Sequence, residues 1–363
     1  MANWARFAVD QHHGGFIEQF HLDGRLDRQG PRRVRVAARQ IYAFSQASLL
    51  GWDDHKQLVL NGVDWLMDRG WRADGDPGFI HLTHDDGSPA DTRRDLYDHA
   101  FHILGLAQAY QATKDAQILA LAKQTFDYVE EALTSEHSGW NETIEGSLPR
   151  RQNPHMHMFE ALLALYAASK DTKYLNRADD ILALLESRFI DPISGCLLEF
   201  FDPDWQAQTP HRVEPGHMVE WVWLLEQRSR ISHSLSHPFC ADRFLSIAEK
   251  LGKQETGLLI DTCSPSGDIL SDSSRVWVQT EWLKAMWVTG QSDTKIENLI
   301  DHIFEQYLIS DQPGMWNDAV TAQGEPLSKR VPASILYHFM SAATELERLT
   351  SAVENQETSC QIR

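Results

Sequence analysis

The sequence predicts an all-α protein built from six copies of a helix–helix–hairpin unit, and two series of landmarks carry the prediction. A glycine followed by an apolar residue recurs at Gly15, Gly78, Gly139, Gly195, Gly257 and Gly314, at gaps of 63, 61, 56, 62 and 57. Six apolar, aromatic-rich helices align on Arg39, His99, His157, His217, Val278 and His338, at gaps of 60, 58, 60, 61 and 60. A period of this size settles architecture before any motif is considered.

Each unit then follows from its local chemistry. After the glycine come short, alternating or turn-rich pieces, such as Phe79-Ile80-His81-Leu82-Thr83-His84 leading into Asp85-Asp86-Gly87-Ser88-Pro89. That pattern specifies a hairpin. The hairpin runs into an aligned helix that is apolar nearly all round, as in Trp221-Val222-Trp223-Leu224-Leu225, and so belongs in an interior. Before the next glycine lies a second helix with a one-sided apolar pattern, for example residues 115–126, which belongs to an outer layer. Closure of the array would give an inner ring of six helices and an outer ring of six, a geometry that periodicity alone does not distinguish from an open solenoid. A length of 363 residues allows several domains. No linker or low-complexity stretch divides the repeats, so one catalytic domain over residues 1–363 is expected.

Composition narrows the function. Hydrophobic residues make up 42% and charged residues 23%, too apolar for a disordered chain. The formal net charge of −19 would repel a polyphosphate, so nucleic acid is not an expected partner. Cys196, Cys240, Cys263 and Cys360 are scattered without C-x-x-C spacing, which indicates neither a disulfide framework nor a cysteine zinc site. No stretch approaches the ~18 apolar residues of a membrane span, and the first residues lack a signal-peptide pattern. A cytoplasmic protein, monomeric or weakly dimeric, is expected.

If the inner helices are equivalent, their N-terminal turns share one rim with the hairpins, and Arg39, His99, His157, His217 and His338 converge on one pocket. Three residues on come Tyr42, His102, Glu160, Glu220, Glu281 and Ser341. A carboxylate at i+3 from an imidazole lies on the same helix face and can orient it, so His157/Glu160 and His217/Glu220 are expected pairs. With 17 histidines present, an individual one is more often structural, and Tyr97-Asp98-His99-Ala100-Phe101 reads equally well as a packed aromatic corner. Arg39 opens an apolar helix, where an unpaired guanidinium is costly; an oxyanion or a buried glutamate would explain it. Trp277, just before an anchor, is a candidate for the pocket, where an aromatic face can stack on a sugar. His155-Met156-His157 puts alternate residues on opposite helix faces, and there is no H-E-x-x-H, so no functional metal is expected. The absence of G-x-G-x-x-G, P-loop and G-x-S-x-G motifs leaves phosphate-bearing cofactors without support.

Arg39-Gln40, Asn153-Pro154-His155-Met156-His157-Met158-Phe159-Glu160-Ala161, Glu214-Pro215-Gly216-His217-Met218-Val219-Glu220-Trp221, Trp277-Val278-Gln279-Thr280-Glu281 and Tyr337-His338 together resemble the N-acylglucosamine 2-epimerase superfamily. The resemblance spans about residues 10 to 345 and implies a closed (α/α)6 barrel with short β-hairpins on the active-site rim. It implies cofactor-free isomerisation of a monosaccharide, with His217 and His338 as an acid/base pair. Arg39, His157 and Glu220 are implied in support, and Asn153 and Trp277 match sugar-binding positions; Tyr97 and His99 complete the expected substrate-binding set. Lacking the insertions associated with cellobiose epimerases, the chain is most similar to the mannose isomerase branch. That branch implies interconversion of D-mannose and D-fructose, with D-lyxose and D-xylulose as a further pair, through a cis-enediol. A D-mannose or cellobiose 2-epimerase would use the same two histidines. A glycoside hydrolase on this fold would need two carboxylates flanking the scissile bond, which the histidine-rich rim does not suggest.

Overall fold

The structure is a computed structural model that describes residues 1–232 and 241–361. Its helices, in chain order, are α1 (Ala2–Phe7), α2 (Val34–Leu49), α3 (Lys56–Arg69), α4 (Leu96–Thr113), α5 (Ala116–Ala132), α6 (Gln152–Ser169), α7 (Thr172–Leu184), α8 (Pro215–Ser232), α9 (Ala241–Gly252), α10 (Val276–Val288), α11 (Asp293–Tyr307) and α12 (Leu336–Gln361). The strands are two or three residues long, so the protein is helical with short hairpins. α2 packs on α4, α4 on α6, α6 on α8, α8 on α10, α10 on α12, and α12 returns to α2. The even-numbered helices thus form a closed ring. α3, α5, α7, α9 and α11 each pack outside the ring helix that precedes them. α1 covers the seam: Trp4 packs on Trp316 with ring centroids 4.9 Å apart and donates to Gln40 Oε1 at 2.7 Å.

Local chemistry explains the two layers. α6 is buried from Pro154 through Leu165, and α4 and α10 are buried over comparable runs, as expected for helices enclosed on all sides. α5 instead buries one stripe (Ile118, Ala122, Thr125, Phe126, Val129) and is capped by Asp115, whose side chain accepts from the Gln117 backbone N–H.

The rim is stitched by antiparallel pairings between a residue one or two before a ring helix and the hairpin that follows the next outer helix: Arg33 with Leu82, Asp95 with Thr143, Arg151 with Phe200, Val213 with Cys263, and Arg275 with Ala319. Val331 with Phe20 joins the end of the chain to its beginning. All six repeat glycines have positive φ, from 63° to 92°, a region that side chains adopt only under strain. At Gly78 an added Cβ would also lie 2.5 Å from the Tyr128 ring. Among the described residues no helix is long and apolar enough to cross a membrane. Cys196 and Cys263 are buried free thiols, while Cys240 and the side chain of Cys360 lie outside the described residues.

Candidate active site

A cavity of about 540 Å³ opens at the rim end of the ring, and Arg39, Tyr97, Asn153, His157, His217, Glu220, Trp277 and His338 all line it. A larger groove of about 910 Å³ lies outside the ring beside α7. Its titratable groups include the ion pair His137–Asp204, both partners of which are half-exposed or more. Perturbed, convergent groups mark the smaller cavity as the candidate chemical site.

Of the nine residues expected at the site, His99 is the one that the structure removes. Its ring is fully buried; Nε2 accepts from the Phe79 backbone N–H at 3.1 Å, and Nδ1 is 2.8 Å from the Asp95 carbonyl. His155 does the same with Trp140 N–H and the Arg151 carbonyl, both at 3.1 Å, and Gln279 does it with Leu259 and the Arg275 carbonyl. These three side chains tie a ring helix to the backbone just after a repeat glycine. Burial lowers the proton affinity of both imidazoles, to about 4 for His99 and about 3 for His155, which keeps each neutral as the latch requires. The correct register therefore equates His99 with His155, and Phe101 with His157. It also equates Tyr97, Asn153 and Trp277, each two residues before a latch, and all three reach the cavity.

The histidine–carboxylate pairs also differ from the i+3 expectation. His157 Nδ1 is 3.3 Å from Glu160 Oε2, as expected. His217 is not paired with Glu220: its Nδ1 lies 3.0 Å from Glu199 Oε2 and 3.7 Å from Glu214 Oε2. His338 Nδ1 lies 2.8 Å from Glu281 Oε1, across two ring helices. Glu199 is the residue that the sequence reading missed. It stands four residues after Gly195, where three of the five other units place Glu18, Glu142 and Asp261 three or four residues after their glycines. Those three acids pair with Arg33, Arg151 and Arg275. The corresponding rim position in the fourth unit is Val213, so Glu199 has no arginine and accepts instead from His217 and from the Gln152 amide at 3.0 Å.

Opposite electrostatics follow for the two histidines. Burial alone would lower His217, but the Glu199 carboxylate, with Glu214, outweighs it and raises the imidazole to about 9. For His338 burial wins over Glu281, helped by the positive charges of Arg39 and Lys284, and the imidazole falls to about 4. Near neutrality one ring carries a proton to give and the other has a free nitrogen to receive one. Trp277 packs against both, with centroids 5.4 Å from His217 and 5.5 Å from His338.

Among the described residues Arg39 has no carboxylate partner. One terminal nitrogen donates to Tyr97 Oη at 2.7 Å, the other to the Ser334 carbonyl at 3.4 Å, the guanidinium stacks on Phe101 at 3.8 Å, and Nε is buried without a partner. Asn153 Oδ1 and both Glu220 oxygens are likewise buried and unpaired. Burial, with Glu281 nearby, pushes Glu220 well above the carboxylate range. Glu220 stands near Glu281 and His338, and near His157 and Glu160, close enough for each trio to chelate a cation. Lys284, 2.7 Å from Glu281 Oε2, already supplies the positive charge there. At the outer trio Asp10/His13/Asp85, Arg28 and Arg32 do the same.

Known proteins resemble this chain in sequence and in fold. Residues 15–342 match the family described as N-acylglucosamine 2-epimerase (GlcNAc 2-epimerase). The chain is 31% identical over 362 residues to a mannose-6-phosphate isomerase of Rhizobium meliloti (strain 1021), covering 95% of this chain and 92% of that protein. It is 27% identical to a D-mannose isomerase of Marinomonas mediterranea over 81% of this chain and 78% of the relative. A crystal structure of D-mannose isomerase superposes with a TM-score of 0.85 at 24% identity, covering 94% and 93% of the two chains. The cellobiose 2-epimerase of Bacillus thermoamylovorans B4167 gives 0.86 at 21%, covering 96% and 95%.

Proposed function

This chain belongs to the N-acylglucosamine 2-epimerase family, and within it we propose an aldose–ketose isomerase that interconverts D-mannose and D-fructose. We read the helix ring as a six-repeat (α/α)6 barrel forming one catalytic domain. The observation that carries the proposal is the pair of oppositely poised histidines on one cavity. His217, raised to about 9, is an acid at neutral pH, and His338, lowered to about 4, is a base.

His217 gives its proton to the ring oxygen and takes the one from the anomeric hydroxyl, which opens the pyranose. His338 then takes the proton from C2. The C2–H electron pair forms the C1=C2 bond, and the carbonyl pair moves onto O1, giving an enediolate. Arg39 presents a guanidinium with an unused Nε, so it is suited to stabilise that oxygen. Return of the proton from His338 to C1, with proton exchange between O2 and O1, yields the ketose. Asn153, Tyr97 and Trp277 supply polar and aromatic contacts to the sugar, and His157 and Glu220 complete the cavity wall.

The 31% identical relative is named for a phosphorylated mannose. Here the rim arginines already have carboxylates: Arg33 pairs with Glu18, Arg212 with Glu214, and Arg275 with Asp261. That favours the unphosphorylated sugar. The test is proton NMR of mannose and enzyme in D₂O. Fructose is expected as the first product, with deuterium at C1. Glucose appearing before fructose would replace the isomerase with a 2-epimerase.

A further inference from the structure

Lys284 is fully buried inside the helix ring, one turn after Glu281. Its ammonium lies 2.7 Å from Glu281 Oε2, donates to Ser341 Oγ at 2.8 Å, and sits 3.6 Å from the centroid of the Trp223 ring. The ammonium thus sits among a carboxylate, a hydroxyl and an aromatic face, and the other Glu281 oxygen holds His338 Nδ1 at 2.8 Å. A carboxylate only accepts, so Nδ1 carries the hydrogen and Nε2 is the nitrogen left unengaged.

We propose that Lys284 is a positioning residue that keeps His338 a neutral base: it balances the charge of Glu281, so that this carboxylate orients the imidazole without drawing a second proton onto it. The proposal rests on the assignment of His338 as the base.

The contrast inside the same cavity supports it. Glu199 holds His217 at a similar distance, but its other contact is the neutral amide of Gln152, and His217 takes the proton that balances Glu199. An isolated buried carboxylate needs one positive partner. At Glu199 the partner is the imidazolium, and at Glu281 it is Lys284. The other charged or titratable groups facing this cluster are few. α8 presents Glu220, α6 presents Glu160 and His157, α2 presents Arg39 and Tyr42, and α12 presents Tyr337. Burial biases both Glu220 and Glu160 toward the protonated form, and Glu160 accepts from Tyr337 Oη at 2.5 Å. Neither replaces Lys284 as a source of positive charge. Arg39 does not touch Glu281 and is held by Tyr97 and Ser334.

The test is Lys284→Met, which keeps an unbranched chain against Trp223 and removes the charge. The ring nitrogens of His338 are followed by ¹⁵N NMR in histidine-labelled protein without substrate, with the signal assigned by its loss in His338→Gln. In the unaltered protein the ring should be neutral at pH 7 with the proton on Nδ1. In Lys284→Met the ring should take up its second proton at a pH about one unit higher or more. The acid limb of kcat/KM should move upward with it, and Lys284→Arg should restore both. Should methionine prevent folding, Lys284→Gln removes the charge while keeping a hydrogen-bond donor and gives the same reading. A ring whose titration does not move in the uncharged variant, or activity reduced by one factor at every pH, would overturn the proposal. The ring titration needs no turnover, so it stands or falls separately from the identity of the sugar.

Discussion

His217 Nδ1 and Glu199 Oε2 stand 3.0 Å apart in the unit where a rim arginine gives way to Val213. The imidazole, raised to about 9 from an ordinary 6.5, is stabilised in its charged form by the folded state. A raised pKa contributes stability that is complete below the unfolded value and disappears as pH rises through the folded one. Glu199→Gln should therefore lower the melting temperature clearly at pH 6 and little at pH 9.5. The alkaline limb of kcat/KM should fall toward neutrality, because burial is then opposed mainly by Glu214. An equal loss of melting temperature at both pH values would show that Glu199 acts through packing alone.

His99 should separate from the cavity histidines by what its loss changes. His99→Ala leaves the Phe79 N–H buried without an acceptor, an unmet group worth about 1–3 kcal/mol besides the lost packing. His99→Gln should recover most of that, since Gln279 already makes the same bridge in another unit. Denaturant titration measures the stability, and kcat/KM per folded molecule should stay close to that of the parent in both variants. By contrast, His217→Ala and His338→Ala should each cost ~10²–10⁴-fold in kcat/KM with the fold retained. A His99→Gln variant that is stable yet inactive would return His99 to the site.

What was legible in the sequence tracks what a backbone or a local pattern enforces. The six glycines could be read because each takes a positive φ, where a side chain is strained. The two kinds of helix could be read because burial on all sides and on one side leave different patterns. The register of the ring helices could not, because His99, His155 and His157 are chemically identical letters with different jobs, and no backbone constraint fixes which of them align. Glu199 depends on the absence of an arginine at Val213, and Lys284 on a carboxylate one turn back and a hydroxyl on another helix. Such relations exist only once the ring is closed.

Glu220 offers the last test, because its carboxyl is enclosed with neither oxygen hydrogen-bonded. Burial first, and then Glu281, pushes its proton affinity well above that of an ordinary carboxylate, so the folded protein holds this proton more tightly than the unfolded chain does. Folding then loses stability as pH rises above 4.5 toward the folded value, the reverse of a salt-bridged carboxylate. Glu220→Gln copies the protonated shape without the ionisable group. Its melting temperature should match the parent near pH 5 and equal or exceed it at pH 8, while turnover falls if the protonated carboxyl contacts the sugar. A variant markedly less stable than the parent at pH 8 would mean that Glu220 is ionised and paired, with His157 Nδ1, 4.0 Å away, as the partner to examine.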